Sequence, residues 1–253
     1  MPNPLVTVIT ATTGNPLLGD CLSSVKNQTY DNIQHLVVID GPERAIPAYA
    51  QIEKSKVFEN TRDGYRIDVQ ELPYSVGKDR WNGHRIYGSG SYLADGDFVL
   101  FLDDDNYLDP MHIELCMDSI AQNQLTWSYS FRKIVDKDRN TLCYDNCESL
   151  GKWASVLHEK DHFVDVNCYF LPRALAVQIS PVWFRKFREP GQMEVDRALF
   201  HVLSQIAPNY DSTYKYTVNY TVGNTQNSVQ KEFFEIGNRD MLQRYGGNLP
   251  WVK

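Results

Sequence analysis

Ala94-Asp-Gly-Asp-Phe-Val-Leu-Phe-Leu-Asp-Asp-Asp-Asn106 is the stretch on which the fold turns. Phe98–Leu102 is the densest apolar run in the chain and is of strand length. A short run with no polar face reads as a strand buried on both sides, the situation of a parallel sheet covered by helices. It stops abruptly on three aspartates. Carboxylates crowded at a sheet edge repel one another, and a hard cation such as Mg²⁺ or Mn²⁺ removes that cost. Such a cation takes one or two protein carboxylates and completes its shell with phosphate oxygens and water. A solvated acidic turn is the alternative reading of the triplet alone. Asp103, Asp105 and Glu114 also fall at positions 1, 3 and 12 of a calcium loop. Tyr107 and Leu108 stand where that loop needs an oxygen ligand and a glycine, so the calcium reading is rejected.

Working outward, Leu5–Ile9 reads as a buried strand, followed by the polar turn Thr12–Pro16. Leu17, Leu18, Cys21, Leu22 and Val25 recur at helical spacing up to Gln28. Leu36–Ile39 is a second β-branched strand closed by Asp40-Gly41-Pro42. A helix over Ile46–Val57, a strand over Tyr65–Leu72 and a looser helix over Trp81–Leu93 follow. Asp109-Pro110 predicts a helix start, with aspartate as the N-cap. This alternation implies βαβ units and a mainly parallel sheet. Ligands bind such sheets at the carboxyl ends of the strands. The turns Thr10–Thr13, Asp40–Gly41 and Asp103–Asn106 are therefore expected to face one crevice.

The second half is less regular. Trp127–Val135, Phe163–Leu171 and Tyr214–Val222 read as strands, and Phe233–Tyr245 as a closing helix. Val195, Leu199, Val202, Leu203 and Ile206 mark one apolar helix face. No repeat or long linker divides the chain, so residues 1–253 are expected to form one domain, with halves 1–123 and 124–253.

The 253 residues are 42% apolar and 23% charged, which is ordinary for a globular chain. A net charge of −7 argues against a general nucleic-acid binder. No apolar run approaches the ~20 residues needed to cross a bilayer, and no signal-peptide pattern opens the chain. A cytoplasmic location is the expectation. The five cysteines are odd in number and scattered, which favours reduced thiols. Cys143 and Cys147 lack a second Cys/His pair at zinc-finger spacing.

Three segments in order resemble the family 2 glycosyltransferases of the GT-A fold. They are Val6–Ala11 with Leu22-Ser-Ser-Val25 and Gln28-Thr-Tyr30, then Leu36-Val-Val-Ile-Asp-Gly41, then Ala94–Asn106 with Pro110. The last resembles the family's metal-binding D-x-D segment. The resemblance covers roughly residues 5–115. It implies a GT-A-like α/β fold, with a Rossmann-like nucleotide-binding half in 1–123 and an acceptor half in 124–253. It also implies a nucleotide diphosphate sugar donor, UDP-linked by preference, a carbohydrate or other hydroxyl acceptor, and Mn²⁺ or Mg²⁺.

Carried over residue by residue, the resemblance puts Thr10, Ala11, Thr12 and Asp40 at the nucleoside. It brings Asp103 and Asp104 toward ribose and metal, and makes Asp105 the principal metal ligand, with Asp103 beside it. Between Val76 and Gly83 the chain departs from the family's usual loop, and Lys78 and Arg80 are expected to meet phosphate charge. An inverting member needs a general base in an acidic pair before a helix. Met193-Glu-Val-Asp-Arg-Ala-Leu199 offers Asp196 in that role, with Glu194 as a rival. Trp153, Asp165 and Asn167 are candidate sugar contacts. The aromatic C-terminal region reads as an acceptor platform or a homodimer surface.

Two other readings stand beside this one. A chain of the same fold could bind nucleotide sugars without turnover. His158-Glu-Lys-Asp-His162 also matches the zinc-peptidase pattern H-E-x-x-H, which needs a helix and a third ligand at Glu189 or Glu194.

Overall fold

A computed structural model describes residues 3–59, 61–185, 194–224 and 229–252. Four parallel strands build its first half: β1 (Val6–Thr12), β2 (Ile33–Ile39), β3 (Tyr65–Glu71) and β4 (Phe98–Phe101). Their apolar runs are buried because helices cover them, and β2 is buried at every position. The covering helices are α1 (Leu18–Lys26), α2 (Ala45–Ser55), α3 (His84–Leu93) and α4 (His112–Asn123).

The chain lays down β2 and β3 on one side of β1, then crosses to the other side for β4, so that β1 pairs with both β2 and β4. Where strand order reverses in this way, the loops leaving the two central strands diverge and open a crevice. Those loops here begin at Thr12 and Asp103.

The second half continues the same sheet with mixed polarity. Its strands are β5 (Tyr107–Leu108), β6 (Trp127–Val135), β7 (Thr141–Tyr144), β8 (Tyr169–Pro172) and β9 (Tyr210–Thr221). The order is β3-β2-β1-β4-β8-β6-β9-β5, with β7 hydrogen-bonded to β6. β8 runs antiparallel to both β4 and β6, whereas β6 and β9 are parallel. Three helices, α5 (Arg173–Trp183), α6 (Val195–Ile206) and α7 (Lys231–Arg244), complete the domain.

Two local expectations are corrected and one helix is added. Asp109 does not cap α4, which begins at His112; its carboxylate instead accepts from Lys133 Nζ and Asn219 Nδ2, each at 2.8 Å. A strand over Phe163–Leu171 shortens to β8, preceded by a 3₁₀ turn at Val166–Cys168. α5 is an addition, obscured in sequence by prolines at both ends. Pro172 precedes its first turn, where no amide bond is lost, whereas Pro181 sits in its last turn and removes one backbone bond there. Its apolar face, including Ile179 and Trp183, packs inward and overrides the prolines. The segment His158–His162 is not helical.

Arg132 on β6 joins the parts of the second half. It is 2% exposed and donates from Nε to Asp145 at 2.8 Å, from Nη2 to Glu148 at 2.6 Å, and from Nη1 to Asp165. Its guanidinium lies 4.3 Å from the Tyr220 ring centroid. Removing one partner from a buried ionic network leaves the others uncompensated, at a cost of ~3–5 kcal/mol. Arg132→Ala is expected to lower the unfolding free energy by about that amount in urea titrations. Arg132→Lys should recover only part of it, because an ammonium cannot fork to three carboxylates.

Candidate active site

The crevice at the reversal point encloses about 620 Å³. Ala11, Thr12 and Thr13 from the end of β1 and Asp40 from the end of β2 form one wall. Asn82, His84 and Tyr87, at and beside the start of α3, form a second. Asp103–Asn106 make the floor, and Asp165, Asp196, Tyr220, Thr221 and Asn224 close the far side. Residues more than a hundred positions apart thus meet because the sheet is continuous from β1 to β9.

The three aspartates splay into different partners. Asp104 accepts from the Thr12 hydroxyl at 2.6 Å and the Thr13 amide at 3.2 Å, tying the β1 loop to the β4 loop. Asp103 accepts from the Tyr87 hydroxyl at 2.5 Å and from Asn167 Nδ2 at 2.9 Å. Asp105 accepts from Asn224 Nδ2 at 2.7 Å, and its carbonyl accepts from the Thr221 hydroxyl at 2.6 Å. Burial raises the pKa of all three, and repulsion from the neighbouring aspartates adds to it at Asp103 and Asp105; Asp105 is pushed up to about 7. Neutral hydroxyl and amide donors oppose these shifts, but no cationic side chain touches the triplet among the described residues.

Asp196 stands in the first turn of α6 on the far wall. Its pKa rises to about 7, from burial first, then from Asp165, Glu194 and Asp103. The helix N-terminus favours the carboxylate form, yet burial wins.

Asp40 holds backbone. Its carboxylate accepts from the amides of Val76 at 2.6 Å and Gly77 at 3.0 Å, and from the Ser75 hydroxyl at 2.9 Å. A Cβ at Gly77 would lie 2.6 Å from that carboxylate and 2.6 Å from the Asn82 carbonyl oxygen, so this close approach requires glycine. Asp79, Arg80 and Asn82 follow at positive φ, a conformation that costs energy for residues with a side chain.

Several expected site residues lie elsewhere. Thr10 points into the core, its hydroxyl 3.0 Å from His35 Nε2, and does not line the crevice. Lys78 is exposed and pairs with Glu43 at 3.1 Å, and Arg80 is exposed outside the wall. Trp153 packs against Trp251 and Phe131 away from the crevice. Glu194 is exposed and pairs with Arg197 at 3.3 Å. Asn167 sits behind Asp103 as a positioning residue, and Asp165 reaches the wall with its oxygens already bonded to Arg132 and Asn167. Asn82, His84, Tyr87, Tyr220, Thr221 and Asn224 were not foreseen. Only Asn82 carried a sequence signal, as part of the Val76–Gly83 loop that departs from the family pattern.

The H-E-x-x-H reading does not survive. His158 Nδ1 accepts from the Lys160 amide at 3.1 Å, and His162 Nδ1 lies 3.0 Å from the Gly151 carbonyl oxygen. Glu189 lies outside the described residues. Among the described residues no three or more His, Cys, Asp or Glu side chains converge to hold an ion.

The raised carboxylates have a consequence for stability. A raised folded-state pKa means that the folded chain binds the proton more tightly than the unfolded chain does. That contribution is full below the unfolded value near 4 and is lost as pH rises through about 7. Asp105→Asn imitates the protonated form and escapes the loss. In cation-free buffer its Tm, relative to that of the unaltered protein, should rise between about pH 5 and pH 8. Thermal melts across that range check this, and a pH-independent difference would contradict it.

No family model matches the sequence. A stretch of 115 residues is 27% identical to EpsH of Bacillus subtilis (strain 168), described as a glycosyltransferase; it spans 45% of this chain and 30% of EpsH. The crystal structure of S. aureus TarS residues 1–349 superposes with a TM-score of 0.61 at 15% identity, over 95% of this chain and 71% of that one. TarS 1–349 in complex with UDP-GlcNAc superposes at 0.59 with 16% identity, over 94% and 66%. TarS 1–349 with UDP gives 0.60 at 14% identity, over 96% and 72%. The chain therefore has the α/β fold of TarS, and its motif resemblance to the family 2 glycosyltransferases is joined by sequence similarity to a protein described as a glycosyltransferase.

Proposed function

We propose that this chain transfers a glycosyl group from a nucleoside diphosphate sugar to an acceptor hydroxyl, with inversion at the anomeric carbon. The observation that carries this reading is the meeting, in one crevice at the strand-order reversal, of the Asp103–Asp105 triplet and Asp196. TarS, of the same fold, has been crystallised with UDP and with UDP-GlcNAc, which favours a UDP-linked donor here.

The donor set suits a hard divalent cation held by few protein ligands. Asp105, with Asp103 beside it, would hold Mn²⁺ or Mg²⁺, and phosphate oxygens and water would complete the shell. The acidic floor lacks a cationic partner among the described residues, and burial makes its charge costly, so it gains most from such an ion. When bound, the ion offsets the negative charge that develops on the departing diphosphate.

The remaining chemistry belongs to the chain. Ala11, Thr12 and Asp40 shape the end of the crevice that takes the nucleoside. Asp196 accepts the proton of the acceptor hydroxyl as that oxygen bonds to the anomeric carbon. The bond from that carbon to the diphosphate oxygen breaks, and its electron pair leaves with the diphosphate. A base with a pKa near 7 is matched to work at neutral pH, because about half of it is ionised there and it is still basic enough to accept the proton.

Three results test this. Asp196→Asn should lower transfer by ~10²–10⁴-fold while leaving the thermal shift caused by UDP-sugar plus Mn²⁺ intact. Asp105→Ala should abolish the Mn²⁺-dependent part of that shift. Transfer should also fall as pH drops through the raised Asp196 pKa, since protonation removes the base. Equal donor binding by Asp105→Ala and the unaltered protein, with and without Mn²⁺, would sink the assignment.

A further inference from the structure

A second cavity, of about 770 Å³, opens on the outer part of the sheet between the end of β5, β7 and the middle of β9. We infer that it binds an oligosaccharide, the acceptor chain or the growing product, away from the point of transfer. This deepens the transferase reading and rests on it.

The cavity and the crevice lie a few residues apart along the same two chain segments. Asp105 forms the crevice floor and Asp109 the cavity wall; Thr221 and Thr217 repeat the pairing on β9. Four residues of strand span about 13 Å. A chain of a few sugar units can therefore lie in the cavity while its end enters the crevice.

The lining matches a neutral polyhydroxyl ligand. Tyr144 is 51% exposed and meets Tyr216 edge-on at 4.8 Å between ring centroids, so an aromatic face is offered beside a fixed second ring. The weakly polar C–H faces of sugars pack on such rings, while their hydroxyls need donors and acceptors. Asn146 supplies these in a rigid setting. Its Oδ1 accepts from Trp251 Nε1 at 2.8 Å and from the Tyr216 hydroxyl. That bonding fixes which end is the amide nitrogen and leaves Nδ2 without a partner among the described residues. One pair of charges in the wall is matched internally, Lys133 Nζ lying 2.8 Å from both Asp109 oxygens, and Lys215 stands exposed beside it. Met111 and Leu115 add apolar surface at the same wall.

The test uses the full chain with hexasaccharides of β-1,4-glucose, β-1,4-N-acetylglucosamine and α-1,4-glucose, read by saturation-transfer NMR and titration calorimetry. At least one is expected to bind, with affinity weakened tenfold or more by Tyr144→Ala. Tyr74→Ala, which removes another exposed tyrosine outside both cavities, should leave binding unchanged. The UDP-sugar thermal shift should be the same in all three proteins, which separates this inference from the transferase reading. Absence of binding by all three glycans overturns the inference. So does binding indifferent to Tyr144→Ala, or a self-association that Tyr144→Ala abolishes and glycans do not compete with.

Discussion

Like-charge crowding at the end of a buried strand is the constraint around which this molecule is organised. Three aspartates follow β4 at a place where burial raises the cost of each charge and repulsion adds to it at Asp103 and Asp105. The fold tolerates them by distributing their oxygens among neutral donors from distant parts of the chain. Thr12 reaches in from β1, Tyr87 from α3, Asn167 from the approach to β8, and Asn224 from beyond β9. These bonds position the carboxylates without neutralising them. The result is a floor that is held in place and still short of positive charge, the condition a cation-bridged diphosphate relieves.

A second ionic system, built on the opposite principle, stands next to the first. Arg132 gathers Asp145, Glu148 and Asp165 in the core of the second half, and Asp165 then passes a hydrogen bond through Asn167 to Asp103. The compensated network therefore anchors the uncompensated one. Arg132 also lies over the face of Tyr220, which lines the crevice. Two wall residues, Asp165 and Tyr220, thus rest on a buried guanidinium that does not itself line the crevice.

Much of the first half was legible because its signals are local. An apolar run of strand length, a Gly/Pro turn and a 3.6-residue periodicity each report on a few neighbouring residues, and β1, β2, β3 and α2, with β6 and α6 of the second half, fall close to where those signals put them. Errors gathered where long-range packing overruled a local rule. Asp109 has the chemistry of an N-cap, but Lys133 and Asn219 compete for its carboxylate and win. α5 forms between two prolines because its apolar face has a core to enter. The histidines of H-E-x-x-H have zinc-site spacing only on a helix, and the backbone there turns instead.

The sequence by itself determined the class of fold, the position of the acidic triplet at a strand end, and the expectation that the first, second and fourth strands deliver their loops to one crevice. Strand periodicity and strand polarity suffice for that, since parallel strands present their carboxyl ends to the same side. Tertiary structure alone decided which side chains line the crevice. It turned Thr10 inward, left Lys78 and Arg80 outside, gave Asp40 a loop to hold, and brought Tyr87, Tyr220 and Asn224 to the wall. Those outcomes depend on strand order and on the competition of distant donors for each oxygen. Neither quantity is written in any short window of the chain.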